Sequence, residues 1–194
     1  MLIVAGDPVG VEADLAAGRL LCPRCGVGVL GGWGHARPRV LRVRGGQRWL
    51  RPRRGACRSC GATHVLLPDA CLARRLDAAE VIGEALLAAV REGYRPIAAR
   101  LGLPGETVRG WLRRFRPRAA RIAAHFLRWA RALDASLEAP ESRGSVLADA
   151  VEAIGLCARA ASLALGPRPA WSWASALTAG RLLSNTSSPW PEPE

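Results

Sequence analysis

The pentapeptides CPRCG at residues 22–26 and CRSCG at residues 57–61 decide the fold of the amino-terminal half of this chain. Each places two cysteines three positions apart and then a glycine, which can adopt positive φ and turn backbone N–H groups toward the sulfurs. Zinc prefers four thiolate or imidazole ligands at tetrahedral corners. The sequence therefore predicts a bound zinc ion in this half of the chain. The predicted metal ligands are Cys22, Cys25, Cys57 and Cys60.

Three other interpretations of the cysteine pairs fit the sequence less well. A disulfide framework requires an oxidising compartment, and no secretion signal is visible in the sequence. A redox Cys-x-x-Cys motif sits at the start of a helix in a βαβ unit, whereas glycine and arginine flank these pairs. Isolated buried cysteines would not recur in two matched pairs. His64 is an alternative fourth ligand, whereas Cys71 and Cys157 are expected to be buried without ligand partners.

The 31 residues between the two cysteine pairs are expected to form a ribbon hairpin. The alternating run RVLRVR at 39–44 ends at Gly45-Gly46, which is a turn signal, and residues 47–54 return to the second pair. The predicted zinc ribbon thus covers residues 21–68. A short strand and a short helix are predicted for residues 1–20.

The charge distribution points to a phosphate backbone as partner. The chain has 28 basic residues, all arginine, against 16 acids, a net charge of +12. Arginine, alanine and glycine usage of this kind is typical of a GC-rich genome, so the total alone is weak evidence. However, residues 15–68 carry 11 arginines and no acid, and residues 94–131 carry 10 arginines and one acid. Codon usage does not predict this segregation, whereas binding to nucleic acid does.

A helix-turn-helix is predicted after the ribbon. Asp77 and Glu80 have the spacing of a capping box, and the helix they open begins a predicted three-helix unit at residues 77–116. Within it, residues 94–113 have the pattern of two crossing helices, with Gly102 ending the first in a left-handed conformation. The alternative is an ordinary helical hairpin in a bundle.

The second helix of this motif is predicted from about Pro104 to Phe115, with its outward side chains directed at the major groove of DNA. Arg109 is the candidate for a bidentate contact with guanine. Glu106 either accepts from cytosine N4 or favours the helix amino terminus. The arginines that follow are expected to meet phosphates. The predicted DNA-binding residues are Glu106, Thr107, Arg109, Arg113, Arg114 and Arg116.

Further helices are predicted at 119–183, followed by a flexible tail at 184–194. The first of these helices has an apolar stripe and an opposite basic stripe, which is either a solvated face or a surface for the DNA backbone. The basic stripe consists of Arg118, Arg121, His125 and Arg128. The helix opened by Ser145 is broadly apolar, so its own domain or a second copy must cover it, and a homodimer through the C-terminal helices is a further expected partner. Its charged residues argue against a membrane span.

The stretch RPRRGACRSCGATH at 51–64, continued by VLLP at 65–68, resembles the zinc-ribbon end of insertion-sequence transposases. In those proteins a helix-turn-helix follows, as RPIAA at 95–99 through VRGWLRR at 108–114 does here. The order is also similar to that of short, uncharacterised actinobacterial transposase-like proteins. The resemblance covers about residues 20–116. It implies Zn²⁺ at the four cysteines and DNA at the helix-turn-helix, with mobile-element ends as a candidate target.

The resemblance does not extend to catalysis. A strand-transfer domain needs a mixed sheet and three spaced carboxylates that bind Mg²⁺. The acids after Phe115 cluster in two helices and a linker, so they are expected to be solvated, and the chain is not expected to be an enzyme. These acids are Asp134, Glu138, Glu141, Asp149 and Glu152.

The sequence thus predicts an α+β fold, mainly helical, with a small β zinc ribbon. The expected function is that of a cytoplasmic, sequence-specific protein that binds double-stranded DNA, either a transposase-related accessory or a transcriptional regulator. The alternative is a metal-stapled protein–protein adaptor. RNA is only weakly indicated, because exposed aromatic residues for stacking are not evident near the basic segments.

Overall fold

A computed structural model describes residues 1–138, 140–184 and 190–193. Strands and helices are both present, in an arrangement compatible with an α+β fold. The strands are β1 (Leu2–Val4), β2 (Leu30–His35), β3 (Arg39–Val43), β4 (Gly46–Leu50), β5 (Arg53–Cys57) and β6 (Thr63–Pro68). The helices are α1 (Pro8–Ala16), α2 (Ala79–Ala88), α3 (Tyr94–Leu101), α4 (Gly105–Phe115), α5 (Ala119–Leu133), α6 (Val146–Leu165) and α7 (Ala170–Leu177), with a 3₁₀ turn at Arg116–Arg118.

Four strands form a sheet in the order β1-β6-β5-β2. Strand β5 pairs antiparallel with both β2 and β6, and β1 adds to the edge of β6 in parallel. The pairing of β2 with β5 shifts register between Gly32 and His35, which marks a β-bulge. The two cysteine pairs lie at the ends of β2 and β5 that face each other, since Leu30 pairs with Cys57.

The predicted hairpin is present but is smaller than expected. Strands β3 and β4 pair from Arg39↔Leu50 to Val43↔Gly46, and Gly45 takes a φ of +73° in the turn. The hairpin forms its own two-stranded sheet, so it is an excursion between β2 and β5. The return strand ends at Leu50 because Pro52 lacks the N–H that a continuous strand would need.

The amino-terminal segment contributes one strand to the four-stranded sheet and one helix that packs against it. Helix α1 begins after Asp7, whose carboxylate accepts hydrogen bonds from the N–H groups of Val9 and Gly10 at 3.1 and 2.9 Å. Val11 and Leu15 on this helix are buried against the sheet. The predicted short strand and short helix are therefore both present, with the helix starting two residues earlier than expected.

Asp77 does not act as the cap predicted for α2. The helix begins after Ala78 without a side-chain cap, and Asp77 is 3% exposed. Its Oδ2 accepts a hydrogen bond of 2.9 Å from Nη2 of Arg42, and its Oδ1 lies 2.8 Å from Nε as a charge contact. The Arg42 backbone also bonds to Leu76 and Ala78. Asp77 forms this ion pair and not the helix cap because a buried carboxylate requires a charged partner.

Helices α2, α3 and α4 pack around buried Ile82, Ile97, Val108 and Trp111. Helix α3 ends at Gly102, which has φ +63° and ψ +34° as the sequence predicted. The N–H of Leu103 bonds back to the Ala98 carbonyl at 2.9 Å. A short turn thereby connects α3 to α4.

The broadly apolar helix α6 is covered by α5 and α7 of the same chain. Its buried side chains are Ala148, Ala150, Ala153, Ile154, Cys157, Ala158, Ala160 and Ala161. Small alanines allow the neighbouring helices to approach closely. This packing explains the apolar sequence of α6 within one chain, and a homodimer through these helices stays a prediction.

The tail was expected to be flexible at 184–194. Residues 185–189 and 194 lie outside the described residues. Trp190, however, is 3% exposed and packs against α5. The Trp129 Nε1 donates to the Pro191 carbonyl at 3.1 Å, and Glu192 pairs with Arg128 at 2.8 Å.

We predict that Gly83→Ala destabilises the helical region. A Cβ at Gly83 would lie 2.0 Å from the Trp171 ring, so the overlap should cost about 1–3 kcal/mol despite the better helix propensity of alanine. The matched control is Gly155→Ala in α6, where the nearest atom is Arg159 Nη1 at 3.7 Å. It should be neutral or stabilise by up to about 1 kcal/mol. Urea unfolding followed by circular dichroism measures both, and equal behaviour of the variants would contradict the Gly83–Trp171 contact.

Candidate metal centre and nucleic-acid interface

The first cysteine pair forms a tight turn that directs backbone N–H groups at sulfur. The N–H of Gly26 bonds to the Cys22 carbonyl at 2.9 Å, and Gly26 takes a φ of +73°. The Sγ of Cys22 accepts from the N–H of Arg24, and the Sγ of Cys25 accepts from the N–H of Gly28, both at 3.4 Å. The glycine at the end of the motif is thus used as the sequence suggests.

The second pair repeats this geometry. The N–H of Gly61 bonds to the Cys57 carbonyl at 3.1 Å, and Gly61 takes a φ of +70°. The Sγ of Cys57 accepts from the N–H groups of Ser59 and Cys60, both at 3.4 Å. Two matched turns therefore present four sulfurs toward each other.

The four sulfur atoms all lie within 4.8 Å of one another. Cys22 and Cys60 are 3.8 Å apart, and Cys25 and Cys57 are 3.7 Å apart. A disulfide would bring two sulfurs to about 2.05 Å, and all six cysteines are free. A tetrahedron with metal–sulfur bonds of about 2.3 Å has edges of about 3.8 Å. The arrangement therefore has the dimensions of a four-coordinate metal site, and the cluster can hold a metal ion.

The backbone donors also favour the thiolate form that a metal needs. The N–H groups of Cys60 and Ser59 lower the pKa of Cys57 to about 6, and the N–H groups of Gly28 and Val27 lower the pKa of Cys25. The N–H of Ala62 acts to lower the pKa of Cys60, but burial and the neighbouring thiols together raise it to about 11. A cation among the sulfurs would relieve that crowding of negative charge.

His64 lies beside the cluster on β6. Its Nε2 is 3.3 Å from the Sγ of Cys22, and the residue is 9% exposed. The four sulfurs already supply the four ligands of a tetrahedral site. His64 is therefore interpreted as a hydrogen-bond partner of the ligand Cys22. Such partners orient the ligands of metal sites.

The remaining cysteines lie in the helical core, as expected. Cys71 and Cys157 are each 0% exposed. Burial raises the pKa of Cys157 to about 12 and also raises the pKa of Cys71. Both therefore behave as small apolar side chains at neutral pH.

Helix α4 has one buried and one exposed face. Val108, Trp111, Leu112 and Phe115 are buried. Opposite them, Glu106 and Arg109 have side chains that are 77% and 60% exposed and form an ion pair at 3.2 Å. Because both groups are solvated, this pair contributes little stability.

The structure places the six predicted DNA-binding residues in different surroundings. Glu106, Arg109, Arg113 and Arg116 are exposed, and Thr107 is half-buried. Arg114 is also half-buried, because its Nη1 donates to the Gly110 carbonyl at 2.8 Å one turn back. Arg109 and Arg113 therefore share the outward face of α4, whereas Arg114 is held against its own helix.

The basic stripe of α5 is partly covered by the chain itself, whereas Arg121 and Arg128 are exposed. His125 is 1% exposed and its Nε2 lies 2.9 Å from the Leu177 carbonyl; burial lowers its pKa. Arg118 and Arg121 lie over the Trp190 ring, with guanidinium carbons 4.8 and 5.2 Å from its centroid. Arg128 pairs with Glu192. The chain's own tail therefore contacts this stripe and leaves Arg121 and Arg128 accessible to solvent.

Two exposed aromatic residues contradict one expectation from the sequence. Trp33 and Trp49 are 60% and 72% exposed on strands β2 and β4, within the arginine-rich segment. Trp33 lies between two glycines and Trp49 between Arg48 and Leu50. Strand β4 is exposed from Gly46 to Trp49, so no alternating pattern in the sequence signals this exposure.

No family model, curated protein or solved structure matches this chain. Among the residues the structure describes, no helix has the length and apolar character needed to cross a membrane.

We predict that the purified protein carries about one metal ion per chain and that Cys57→Ser loses it. The small ribbon core contains Cys22 and Cys57 among only seven buried apolar residues, so loss of a metal should also unfold the ribbon. The control is Cys157→Ala in the helical core, which removes a thiol and should retain the metal. Elemental analysis and hydrogen exchange measure both effects. Equal metal content in Cys57→Ser and the parent would refute the site.

We also predict that acid releases the metal. Protons compete for all four sulfurs, and the loss should steepen as the pH falls below about 6, where Cys57 becomes protonated as well. A colorimetric chelator assay across a pH series measures metal release. Full retention in strong acid would contradict thiolate ligation.

Proposed function

We propose that this chain is a zinc-containing, sequence-specific protein that binds double-stranded DNA, with α2, α3 and α4 as a helix-turn-helix. The observation that carries the proposal is the outward face of α4. Its opposite face is packed on α2 and α3, and Arg109 and Arg113 stand on the exposed side. A helix held in this way has the form of a recognition helix.

The turn before α4 supports the same proposal. The left-handed Gly102 ends α3, and a short turn leads into α4. Helix-turn-helix units use such a turn to set the second helix across the first. We propose that Arg109 reads guanine, with Glu106 beside it in the first turn of α4, and that Arg113 and Arg116 meet phosphates.

Zinc is the proposed metal at the cysteine cluster. Four sulfurs with tetrahedral edges suit zinc or an iron–sulfur centre, and the matched turns with two residues between ligands favour structural zinc. In this proposal the ion stabilises the ribbon and takes no part in chemistry. A transposase-related accessory and a transcriptional regulator are the two roles that such a module would serve.

A metal-stapled adaptor is the second candidate function. Leu163 and Leu165 at the carboxyl end of α6 are 88% and 59% exposed, which favours an apolar contact with a partner protein. The arginine-rich strands and α4 favour DNA. Duplex binding that weakens steeply with salt supports the first candidate, and salt-insensitive binding to a protein with no duplex affinity supports the second.

We predict that Arg109→Ala lowers the difference in binding free energy between the preferred duplex and its single-base variants by about 1–3 kcal/mol. The loss of affinity common to all duplexes should be smaller. Selection from a random duplex pool identifies the preferred site, and fluorescence anisotropy then compares it with single-base variants. Arg91→Ala is the matched control, since Arg91 is exposed on the segment after α2, outside α4. It should leave discrimination unchanged. An equal loss on all duplexes would reassign Arg109 to a phosphate contact.

A further inference from the structure

Two tryptophans are exposed on the strands, whereas the other five are buried or half-buried. The chain has seven tryptophans, all among the described residues, and only Trp33 and Trp49 are exposed. The other five are Trp111, Trp129, Trp171, Trp173 and Trp190. A large aromatic side chain is normally buried for most of its area. The exposed indoles of Trp33 in the four-stranded sheet and Trp49 in the two-stranded sheet therefore point to a ligand with a flat apolar face.

The local backbone also presents Trp33 outward. The β-bulge between Gly32 and His35 contains Trp33, and Gly34 takes a φ of +71°. A bulge redirects the side chains of its strand. A Cβ at Gly32 would lie 2.5 Å from Nη2 of Arg53, so the absence of a side chain at Gly32 allows this arginine to lie close to the strand.

Trp49 borders a cavity between α1, β1 and the β3–β4 hairpin. The cavity has a volume of about 360 Å³, within the range of small-ligand sites. Its lining includes His35, Arg48, Trp49 and Arg51, together with Glu12 on the facing helix. It thus combines an aromatic wall with several cationic groups.

The charge of this region is not neutralised by the protein itself. Glu12, the one acid in the lining, is already paired with Arg53 at 2.5 Å. Over residues 1–138, 140–184 and 190–193, no carboxylate lies within ion-pair distance of Arg48 or Arg51, and both arginines are exposed. Exposed indole and unpaired guanidinium groups therefore occur together.

We propose that the strands around Trp49 bind single-stranded DNA, with unpaired bases stacking on Trp49 and Trp33 and phosphates contacting Arg48 and Arg51. Bases of a duplex stack on each other, so only an unpaired base offers its face to an indole. Guanidinium groups supply the sequence-independent attraction for the backbone. The inference goes beyond duplex recognition by α4, and only the choice of DNA over RNA rests on the proposed function.

The test is fluorescence anisotropy of the full chain with a short fluorescein-labelled oligothymidylate. Loss of one stacked base should weaken binding by roughly 5- to 150-fold in Trp49→Ala, with a similar direction for Trp33→Ala. Trp49→Phe should keep most of the affinity because phenylalanine also stacks. The control is Leu163→Ala, a substitution of an even more exposed apolar residue on α6, which should bind as the parent does.

The same proteins are titrated with the selected duplex so that the two proposals can fail separately. Trp49→Ala should lose more affinity for oligothymidylate than for the duplex, whereas Arg109→Ala should show the reverse. Oligothymidylate binding that is equal in the parent, Trp49→Ala and Trp33→Ala would overturn the inference and leave duplex recognition standing. Tighter binding of oligouridylate would overturn the assignment to DNA. Thermal unfolding checks that each variant folds, and the exposure of Trp49 predicts no loss there.

Discussion

Four cysteine sulfurs that lie within 4.8 Å of one another constrain the whole amino-terminal half of the molecule. The cysteine turns lie at the paired ends of β2 and β5, so the cluster aligns those strands and, through β5, the rest of the sheet. The apolar core of this half is small, and two of its members are cysteines. Small domains of this kind depend on a staple in place of a large core. A metal ion held by the cysteine cluster would supply such a staple.

The β3–β4 hairpin connects this half to the helices. Leu41 of β3 is fully buried in the main helical core, and the neighbouring Arg42 pairs with buried Asp77 just before α2. An insertion between two ligand pairs thus has a structural purpose. It fixes the ribbon against the three-helix unit, so that the cysteine cluster and the outward face of α4 belong to one framework.

The sequence predicted the features that depend on short-range pattern. The cysteine pairs, the β3–β4 turn and the left-handed Gly102 each follow from the preference of a few neighbouring residues. It did not predict features that depend on distant partners. Asp77 has a perfect local capping pattern, yet Arg42 from another element takes its carboxylate. The parallel addition of β1 to β6 likewise depends on a pairing across more than sixty residues.

The surroundings of the α5 stripe also depend on distant partners. Its spacing indicates an amphipathic helix, but spacing does not reveal that Trp190 and Glu192 fold back on the charged side. The sequence shows that Trp33 and Trp49 lie in the arginine-rich segment. It does not show that their side chains are exposed, because exposure depends on which face of each strand the fold covers. Local pattern predicts elements, and only the packing of those elements decides which side chains water reaches.

The tryptophan side chains differ in solvent exposure, and therefore in how readily their fluorescence is quenched. Trp111, Trp173 and Trp190 are enclosed by helices, whereas Trp33 and Trp49 face water on the strands. A soluble quencher such as acrylamide therefore reaches the strand indoles and spares those three. The half-buried Trp129 and Trp171 of the helices are quenched to an intermediate degree. The most strongly quenched emission therefore reports mainly on Trp33 and Trp49, in one unlabelled sample.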